Sequence, residues 1–187
     1  MRIALSLSLL AVVVLAACAS KAPTAPAPAV KQTEGYFGRT KSAVATLSPA
    51  ASGGATGIVS FSASGSSVDV HVVATGLVPG STHGFHVHET GNCASPDFTS
   101  AGGHFNPEHH QHGPQGGEHH AGDMPSLLAD PTGKIDTTFT LNGVALGGGE
   151  GFVGRAVILH AGPDDYATQP TGNSGGRIAC GVIAATL

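Results

Sequence analysis

With 187 residues, the chain is long enough for one folded domain with a sizeable core. Its net charge of −4 gives no electrostatic reason to expect nucleic acid as a partner. Glycine supplies 28 residues and tryptophan none, a glycine share about twice the average of ~7%, and the absence of a collagen-like period excludes a triple helix and favours tight turns between short strands.

The N-terminal segment has the pattern of a secretory signal. Arg2 precedes an apolar run over residues 3–17, which is too short to span a bilayer comfortably. The run ends in Leu-Ala-Ala-Cys, which resembles a bacterial lipobox whose cysteine becomes the lipid attachment point. We therefore expect a signal peptide over residues 1–17 and lipidation of Cys18. The alternative is an ordinary secretory signal with an incidental cysteine.

Residues 18–38 are expected to form a lipid-anchored linker rich in proline and alanine. Prolines at positions 23, 26 and 28 favour a semi-extended tether without a core. Alanine at position 19 is, by resemblance to Gram-negative lipoproteins, compatible with the outer membrane. The expected location is the periplasm or cell envelope, with membrane contact only through the anchor, and the folded domain is expected over residues 39–187.

The folded domain is predicted to be all β. Short runs of small and β-branched residues indicate strands at 42–47 and 57–61, and valines at 68, 70 and 72 alternate with Asp69 and His71. His71 faces away from the valines and is expected to be exposed. Later runs at 135–141, 155–160 and 177–183 have the same character. Since no stretch beyond the signal has a helical period, an antiparallel sandwich or barrel is expected.

Nine of the eleven histidines fall within residues 82–123, beginning with the run His-Gly-Phe-His-Val-His-Glu at 83–89. On a strand, His86 and His88 project from one face, while the residues that alternate with them can enter the core. Two imidazoles in this arrangement suit a transition metal such as copper or zinc. His83 faces the other side of the strand, and we expect it to be hydrogen-bonded rather than a metal ligand.

Two further groups of residues complete the candidates. Once Cys18 is assigned to lipidation, Cys93 and Cys180 remain as an even pair in an oxidising compartment, which predicts a disulfide; the alternative is two unpaired buried thiols. The remaining candidate metal ligands are His104, His112, the His119–His120 pair with Asp123, and His160.

Four motifs occur together in one order: HGFHVHE, GGHFNP, HAGD and GNSGGRIACGVI. In this order they resemble the bacterial copper–zinc superoxide dismutases over about residues 40–187. The resemblance implies an eight-stranded antiparallel Greek-key β-barrel, an immunoglobulin-like sandwich, with long metal-binding loops. It also implies one copper and one zinc per subunit, and antioxidant conversion of superoxide anion to dioxygen and hydrogen peroxide. Whether such a protein is a monomer or a homodimer is left open.

The resemblance assigns two ligand sets that share a bridging and proton-carrying His104. The implied copper ligands are His86, His88, His104 and His160. The implied zinc ligands are His104, His112, His120 and Asp123, and three nitrogens with one carboxylate suit tetrahedral zinc. Two choices remain open: His119 could replace His120, and His109 or His110 could replace His112. The histidines that are left over, at 109, 110 and 119, are expected to be solvated.

Two more residues receive roles from the resemblance. Asp164 would link the copper ligand His86 to the zinc ligand His112 and orient both rings, whereas the alternative is a solvated carboxylate beside Asp165. Arg177 would guide the anion beside copper, because a guanidinium stays charged and donates in a fixed fork; the alternative is a surface salt bridge. The competing hypothesis for the whole protein is a non-enzymatic copper-binding or copper-delivery lipoprotein on the same barrel.

Overall fold

The computed structural model describes residues 40–51, 53–94 and 96–186. They belong to one compact unit, Thr33–Leu187, whereas a second unit, Met1–Gln32, lies outside the described residues. The expected signal peptide, Cys18 and the linker over 18–38 also lie outside them. Within the described part of the chain, no helix is both long enough and apolar enough to cross a membrane.

Strands and loops make up almost all of the described structure, with one turn of 3-10 helix at Thr99–Ala101. The strands are β1 (Ser42–Pro49), β2 (Thr56–Ser64), β3 (Ser67–Thr75), β4 (Thr82–His83), β5 (Phe85–His88), β6 (Leu127–Leu128), β7 (Ile135–Asn142), β8 (Ala156–His160), β9 (Arg177–Val182) and β10 (Ala184–Ala185). The strand runs read from the sequence lie within these strands or overrun them by one residue, and the observed strands extend up to three residues beyond the runs. The predicted all-β class is confirmed.

The main sheet has eight antiparallel strands, in the order β5-β8-β9-β1-β2-β3-β7, with β10 added on β1, while β4 and β6 form a separate pair. Residues 42–47 of β1 pair with β2, and its last two residues pair with β9. Strands from both ends of the path, such as Phe85 of β5 and Leu141 of β7, contribute to one core. The sheet therefore wraps around that core, and its β3–β7 and β5–β8 neighbours are the long-range pairings of a Greek key.

Strand β3 shows why the alternation in the sequence predicts this packing. Val68, Val70 and Val72 are fully buried, whereas Asp69 and His71 are exposed on the other face. His71 bonds Asp136 across the strand pair, with Nε2 3.0 Å from Oδ1, at the surface. Both expectations for this strand are confirmed.

The free edge of β5 is covered by loop segments that carry polar residues to the same face as its histidines. Val87 donates through its N–H to Gly122 O at 2.8 Å and accepts at its carbonyl from Phe105 N at 2.8 Å. A Cβ at Gly122 would lie 2.2 Å from the Val87 oxygen, so this approach requires glycine. The result is a pair of β-bridges, His86 to Asp123 and His88 to His104.

The predicted disulfide between Cys93 and Cys180 is confirmed. It joins the loop after β5 to strand β9 and closes a separation of 87 residues. By loop-closure entropy, such a crosslink stabilises the fold by roughly 4–5 kcal/mol. Cys180 is buried in a small apolar cluster with Phe98, Ala101 and Ile158, so the disulfide also fixes the loop that packs there.

Candidate metal centre

Seven residues converge into two overlapping groups at one end of β5. The first group is His86, His88, His104 and His160, and the second is His104, His112, His120 and Asp123. In each group, one potential ligand atom from every residue lies within 4.8 Å of the others, and all seven side chains are buried. His104 belongs to both groups, so its ring lies between them.

Three of these histidines are placed by strands. His86 and His88 lie two residues apart on β5 and therefore share a face. His160 is the last residue of β8, where the pairing with β9 shifts register after Leu159. Such an irregularity re-aims a side chain at the end of a strand, and here the His160 ring stacks near His88, with ring centroids 5.6 Å apart.

Hydrogen bonds determine which nitrogen of each ring is free in the all-histidine group. The Nδ1 atoms of His88 and His160 donate to the carbonyl oxygens of Gly102 (3.0 Å) and Gly175 (3.1 Å). A carbonyl oxygen can only accept, so each Nε2 carries a lone pair. His86 uses Nε2 to donate to Asp164 Oδ2 at 2.7 Å, which leaves its Nδ1 free.

The second group is built around the Asp123 carboxylate. Oδ1 lies 2.9 Å from His104 Nδ1 and 3.2 Å from His120 Nδ1, while Oδ2 lies 3.0 Å from His112 Nδ1. His112 also donates from Nε2 to Asp164 Oδ1 at 2.9 Å, so its Nδ1 is the nitrogen that faces Asp123 and the rest of the group.

The structure separates the histidines that the sequence left as alternatives. His119 lies outside the group, half-buried, with its Nδ1 bonded to the carbonyl oxygen of His120 at 2.7 Å. His109 and His110 are exposed, and His110 lies 3.3 Å from Glu108 at the surface. His120 and His112 are therefore the members of these runs that the fold brings to Asp123.

Among the described residues, four buried ring nitrogens have no hydrogen-bond partner: His86 Nδ1, His104 Nε2, His112 Nδ1 and His120 Nδ1. An unpaired buried polar atom costs about 1–3 kcal/mol, so their convergence requires a ligand that accepts lone pairs. A metal cation is such a ligand. The four imidazoles suit copper, and the three imidazoles with one carboxylate suit closed tetrahedral zinc. The residues present fit both metals.

Burial keeps His88, His104 and His160 uncharged at neutral pH. It lowers the pKa of His88 to about 2 and that of His160 to about 3, with repulsion from neighbouring histidines and Arg177 contributing. Burial also lowers the pKa of His104 to about 4, against the opposing hydrogen bond to Asp123. At neutral pH these rings hold lone pairs rather than extra protons, which is the form that binds metal.

In the second group, the pKa shifts of Asp123 and His112 favour the charged forms of both residues. Burial alone would raise the pKa of Asp123, but the hydrogen bond from His104 and the close rings of His112 and His120 hold that pKa well below its usual range. Burial of His112 opposes its protonation, yet its close contact with the Asp123 carboxylate and its bond to Asp164 raise its pKa to about 9. In the metal-free protein the proton on His112 therefore balances the ionised Asp123, and a cation that binds here takes the place of that proton.

Asp164 lies between the two groups. It is buried and accepts from His86 through one oxygen and from His112 through the other. A Cβ at Gly172 would lie 1.9 Å from Asp164 Oδ1, so glycine is required where the loop passes this carboxylate. The neighbouring Asp165 is the exposed one and caps its own turn at Thr168.

Arg177 begins β9, is half-buried, and lies beside the all-histidine group. Its guanidinium donates to the carbonyl oxygens of Phe98 (2.5 Å) and Gly102 (2.6 Å), the second of which also accepts from His88. These bonds fix the cation next to a ring of the centre.

Several contributors to the centre are not visible in the sequence. The acceptors at Gly102 and Gly175 are backbone carbonyls, which every residue carries. His83 is hydrogen-bonded, as expected: it is buried and donates from Nδ1 to the His160 carbonyl at 2.7 Å, while its Nε2 lies 2.6 Å from Ser81 Oγ.

Comparison with known proteins identifies relatives whose names refer to superoxide dismutase. The family profile described as "Copper/zinc superoxide dismutase (SODC)" matches residues 55–183. The superoxide dismutase-like protein YojM of Bacillus subtilis (strain 168) is 44% identical over 124 residues, which cover 62% of this chain and 62% of that protein. The chain therefore spans less than two thirds of that relative's length.

Three further comparisons cover more of the matched protein than the first. The superoxide dismutase [Cu-Zn] of Deinococcus radiodurans is 40% identical over 145 residues, covering 71% of this chain and 79% of that protein. The superoxide dismutase [Cu-Zn] 2 of Aquifex aeolicus (strain VF5) is 44% identical over 126 residues, covering 63% and 72%. The crystal structure of the clock protein EA4 superposes with a TM-score of 0.70 at 35% identity, covering 79% of this chain and 96% of that one.

Proposed function

This chain belongs to the copper/zinc superoxide dismutase family, and we propose that it converts two superoxide anions and two protons to dioxygen and hydrogen peroxide. Its cofactors are copper and zinc. When bound, copper supplies reversible one-electron chemistry, and zinc supplies a fixed positive charge without redox change. The observation that carries the proposal is the convergence of unpartnered ring nitrogens in two ligand groups that share His104.

Each residue of the two groups has a distinct task. Copper is held by His86, His88, His104 and His160, and zinc by His104, His112, His120 and Asp123. Carbonyl and carboxylate acceptors behind His88, His160 and His86 hold each ring in the tautomer that presents a lone pair. Asp164 orients His86 and His112 together, so a shift in one group is transmitted to the other.

His104 is the residue suited to move a proton. Its Nδ1 is held at 2.9 Å by Asp123, and its Nε2 faces the all-histidine group without a partner. A proton can therefore reside at Nε2 while the ring stays in place. From that position the proton can be given up to a more basic acceptor such as peroxide.

Arg177 is suited to bind the anion. Superoxide carries one negative charge, and the guanidinium lies beside His88, fixed by two backbone carbonyls. Of the other described cations, Arg155 is committed elsewhere, with its guanidinium 3.4 Å above the Phe105 ring. Arg177 therefore has the main part in attracting superoxide to the centre.

A metal analysis combined with a superoxide-decay assay tests this function. We expect one copper and one zinc per chain and rapid decay of superoxide. His160→Ala should lose copper and activity together, because it removes one of four imidazoles, whereas the surface control His71→Ala should keep both. A protein with full copper and zinc but no activity would instead support the copper-binding or copper-delivery role, which no contact at the centre favours.

The cell envelope, outside the cytoplasm, is the location that agrees with the disulfide between Cys93 and Cys180. We further propose that residues 1–17 are removed, that Cys18 is lipidated, and that the linker at 18–38 tethers the domain at 39–187 to the outer membrane. The domain works there as a monomer or a homodimer. Cys18→Ser should shift the protein from the detergent phase to the aqueous phase or leave it unprocessed, and equal partitioning of both forms would rule lipidation out.

A further inference from the structure

The side-chain amide of Gln169 forms hydrogen bonds with both backbone polar groups of His112, which lies far away in the sequence. The His112 N–H donates to Gln169 Oε1 at 2.8 Å, and Gln169 Nε2 donates to the His112 carbonyl oxygen at 2.8 Å. One amide thus satisfies both backbone groups of one residue, in the way that a neighbouring strand would. The two residues are 57 positions apart in the chain.

His112 depends on such a contact more than the residues of the centre that lie in strands or bridges. His86, His88 and His160 lie in strands of the main sheet, and His104 and Asp123 form bridges to β5. His112 lies in the loop between these elements, and residues 108–111 before it are exposed. Its backbone position is therefore set by the loop that carries Gln169.

That loop is itself well fixed. Asp164 accepts from the Tyr166 N–H at 2.7 Å, and Asp165 accepts from Thr168 through the backbone and the hydroxyl. The Gly172 N–H donates to the Thr168 carbonyl at 2.7 Å, and the Asp165 N–H donates to the Gly172 carbonyl at 2.9 Å. A rigid segment can hold its partner to a narrow range of positions, which metal ligation requires.

The same loop holds His112 by its ring as well. Asp164 accepts from His112 Nε2 at 2.9 Å, five positions before Gln169. The ring contact fixes the tautomer and rotation of the imidazole, and the backbone contact fixes where its Cα stands. Gln169 is exposed and has water as an alternative partner, yet both of its polar side-chain atoms face His112.

We propose that Gln169 is a positioning residue for the zinc site, which holds His112 in place through its backbone and thereby slows zinc release. The inference rests on the ligand assignment in the proposed function. Loss of partners that orient metal ligands typically costs about 10–100-fold in metal affinity or activity, and an exposed amide belongs at the lower end of that range. Three of the four copper ligands lie in strands, and Gln169 has no described hydrogen bond to any of the four.

The test is zinc transfer from the fully metallated protein to a chelator, measured beside copper retention and the melting temperature of the metal-free protein. Gln169→Leu should release zinc about tenfold faster, with copper retained and the metal-free melting temperature unchanged. Gln169→Glu keeps an acceptor for the His112 N–H but loses the donor to its carbonyl, so it should be intermediate. Gln111→Leu, an exposed change beside His112, is the matched control and should release zinc at the wild-type rate.

The outcomes separate this inference from the activity itself. Wild-type release rates in both Gln169 variants would overturn it, and so would a faster release that is matched by Gln111→Leu or by a lower metal-free melting temperature. Because zinc transfer is measured without superoxide, a protein inactive as a dismutase can still show the Gln169 effect. A wild-type chain that takes up no zinc would overturn both the ligand assignment and the role of Gln169.

Discussion

His88 and His160 face each other with their Nε2 atoms 3.4 Å apart, while the Nδ1 of each ring is held by a carbonyl from a different loop. Both Nε2 atoms carry lone pairs, so neither can donate to the other, and their approach is favourable only with a cation between or beside them. The fold therefore holds the two rings in a metal-binding arrangement before any metal arrives. That arrangement has consequences for stability in the metal-free state.

Without metal, the stability of the protein should be greatest near pH 6.5. Histidine titrates at about 6.5 when unfolded. The folded pKa values of His88, His104 and His160, about 2, about 4 and about 3, lie below this, so the unfolded state gains protons first and stability falls as pH drops below 6.5. The folded pKa of His112, about 9, lies above it, so its contribution is complete below 6.5 and is lost as pH rises through about 9.

Thermal melts of chelator-treated protein across this range measure the effect. His112→Asn should remove the loss of stability above pH 6.5 and leave the loss of stability below pH 6.5. Stability that rises steadily to pH 9 in the unsubstituted protein would contradict the proposed charge state of His112.

Arg177→Ala should keep both metals and the copper spectrum but lose about tenfold in rate at low ionic strength. A local positive charge raises the encounter rate with an anion by ~10-fold or more, equivalent to about 1.4 kcal/mol, and salt screens the gain. Arg177→Lys should be intermediate, because an ammonium keeps the charge but cannot reproduce the planar fork that reaches both Phe98 and Gly102.

The salt dependence of the rate distinguishes guidance from a structural effect. It should flatten in Arg177→Ala and remain in Lys134→Ala, which removes a surface cation paired with Asp136 at 2.8 Å. An alanine variant with the full rate and the unchanged salt profile would show that guidance comes from other groups.

Asp123→Ala should weaken zinc binding strongly, because it removes the only carboxylate of the group and the partner of His104, His112 and His120. The strand-held imidazoles of the copper group should persist, so we expect partial activity with a lower melting temperature. Zinc content by elemental analysis and calorimetric melting check this. Unchanged values for both would mean that Asp123 is not the ligand.

Removal of the disulfide should lower stability and activity together. The double substitution Cys93→Ala and Cys180→Ala removes a crosslink that stabilises the fold by roughly 4–5 kcal/mol through loop-closure entropy. It also loosens the segment whose Phe98 carbonyl accepts from Arg177. The variant should melt at a lower temperature and show a weaker salt dependence while it keeps its metals. If stability falls but the salt profile of the rate is unchanged, the disulfide does not position Arg177.

The sequence by itself determined the features that arise from local pattern. A period of two placed Val68, Val70 and Val72 in the core and His86 with His88 on one face, because successive strand residues point to opposite sides. The order of the four motifs led to the family, and the parity of the cysteines led to the disulfide. None of these inferences requires knowledge of which distant segments of the chain are in contact.

Only the tertiary structure decided the features that depend on contacts between distant segments of the chain. It placed His120 rather than His119 near Asp123. The loop pairs with the edge of β5 at Gly122, and this pairing determines which of the two adjacent histidines points toward Asp123. The tertiary structure also assigned Gly102 and Gly175 as acceptors and Gln169 as the partner of His112. Backbone carbonyls are identical in every residue and carry no signal in the sequence, and an amide 57 residues away becomes a neighbour only once the sheet has folded.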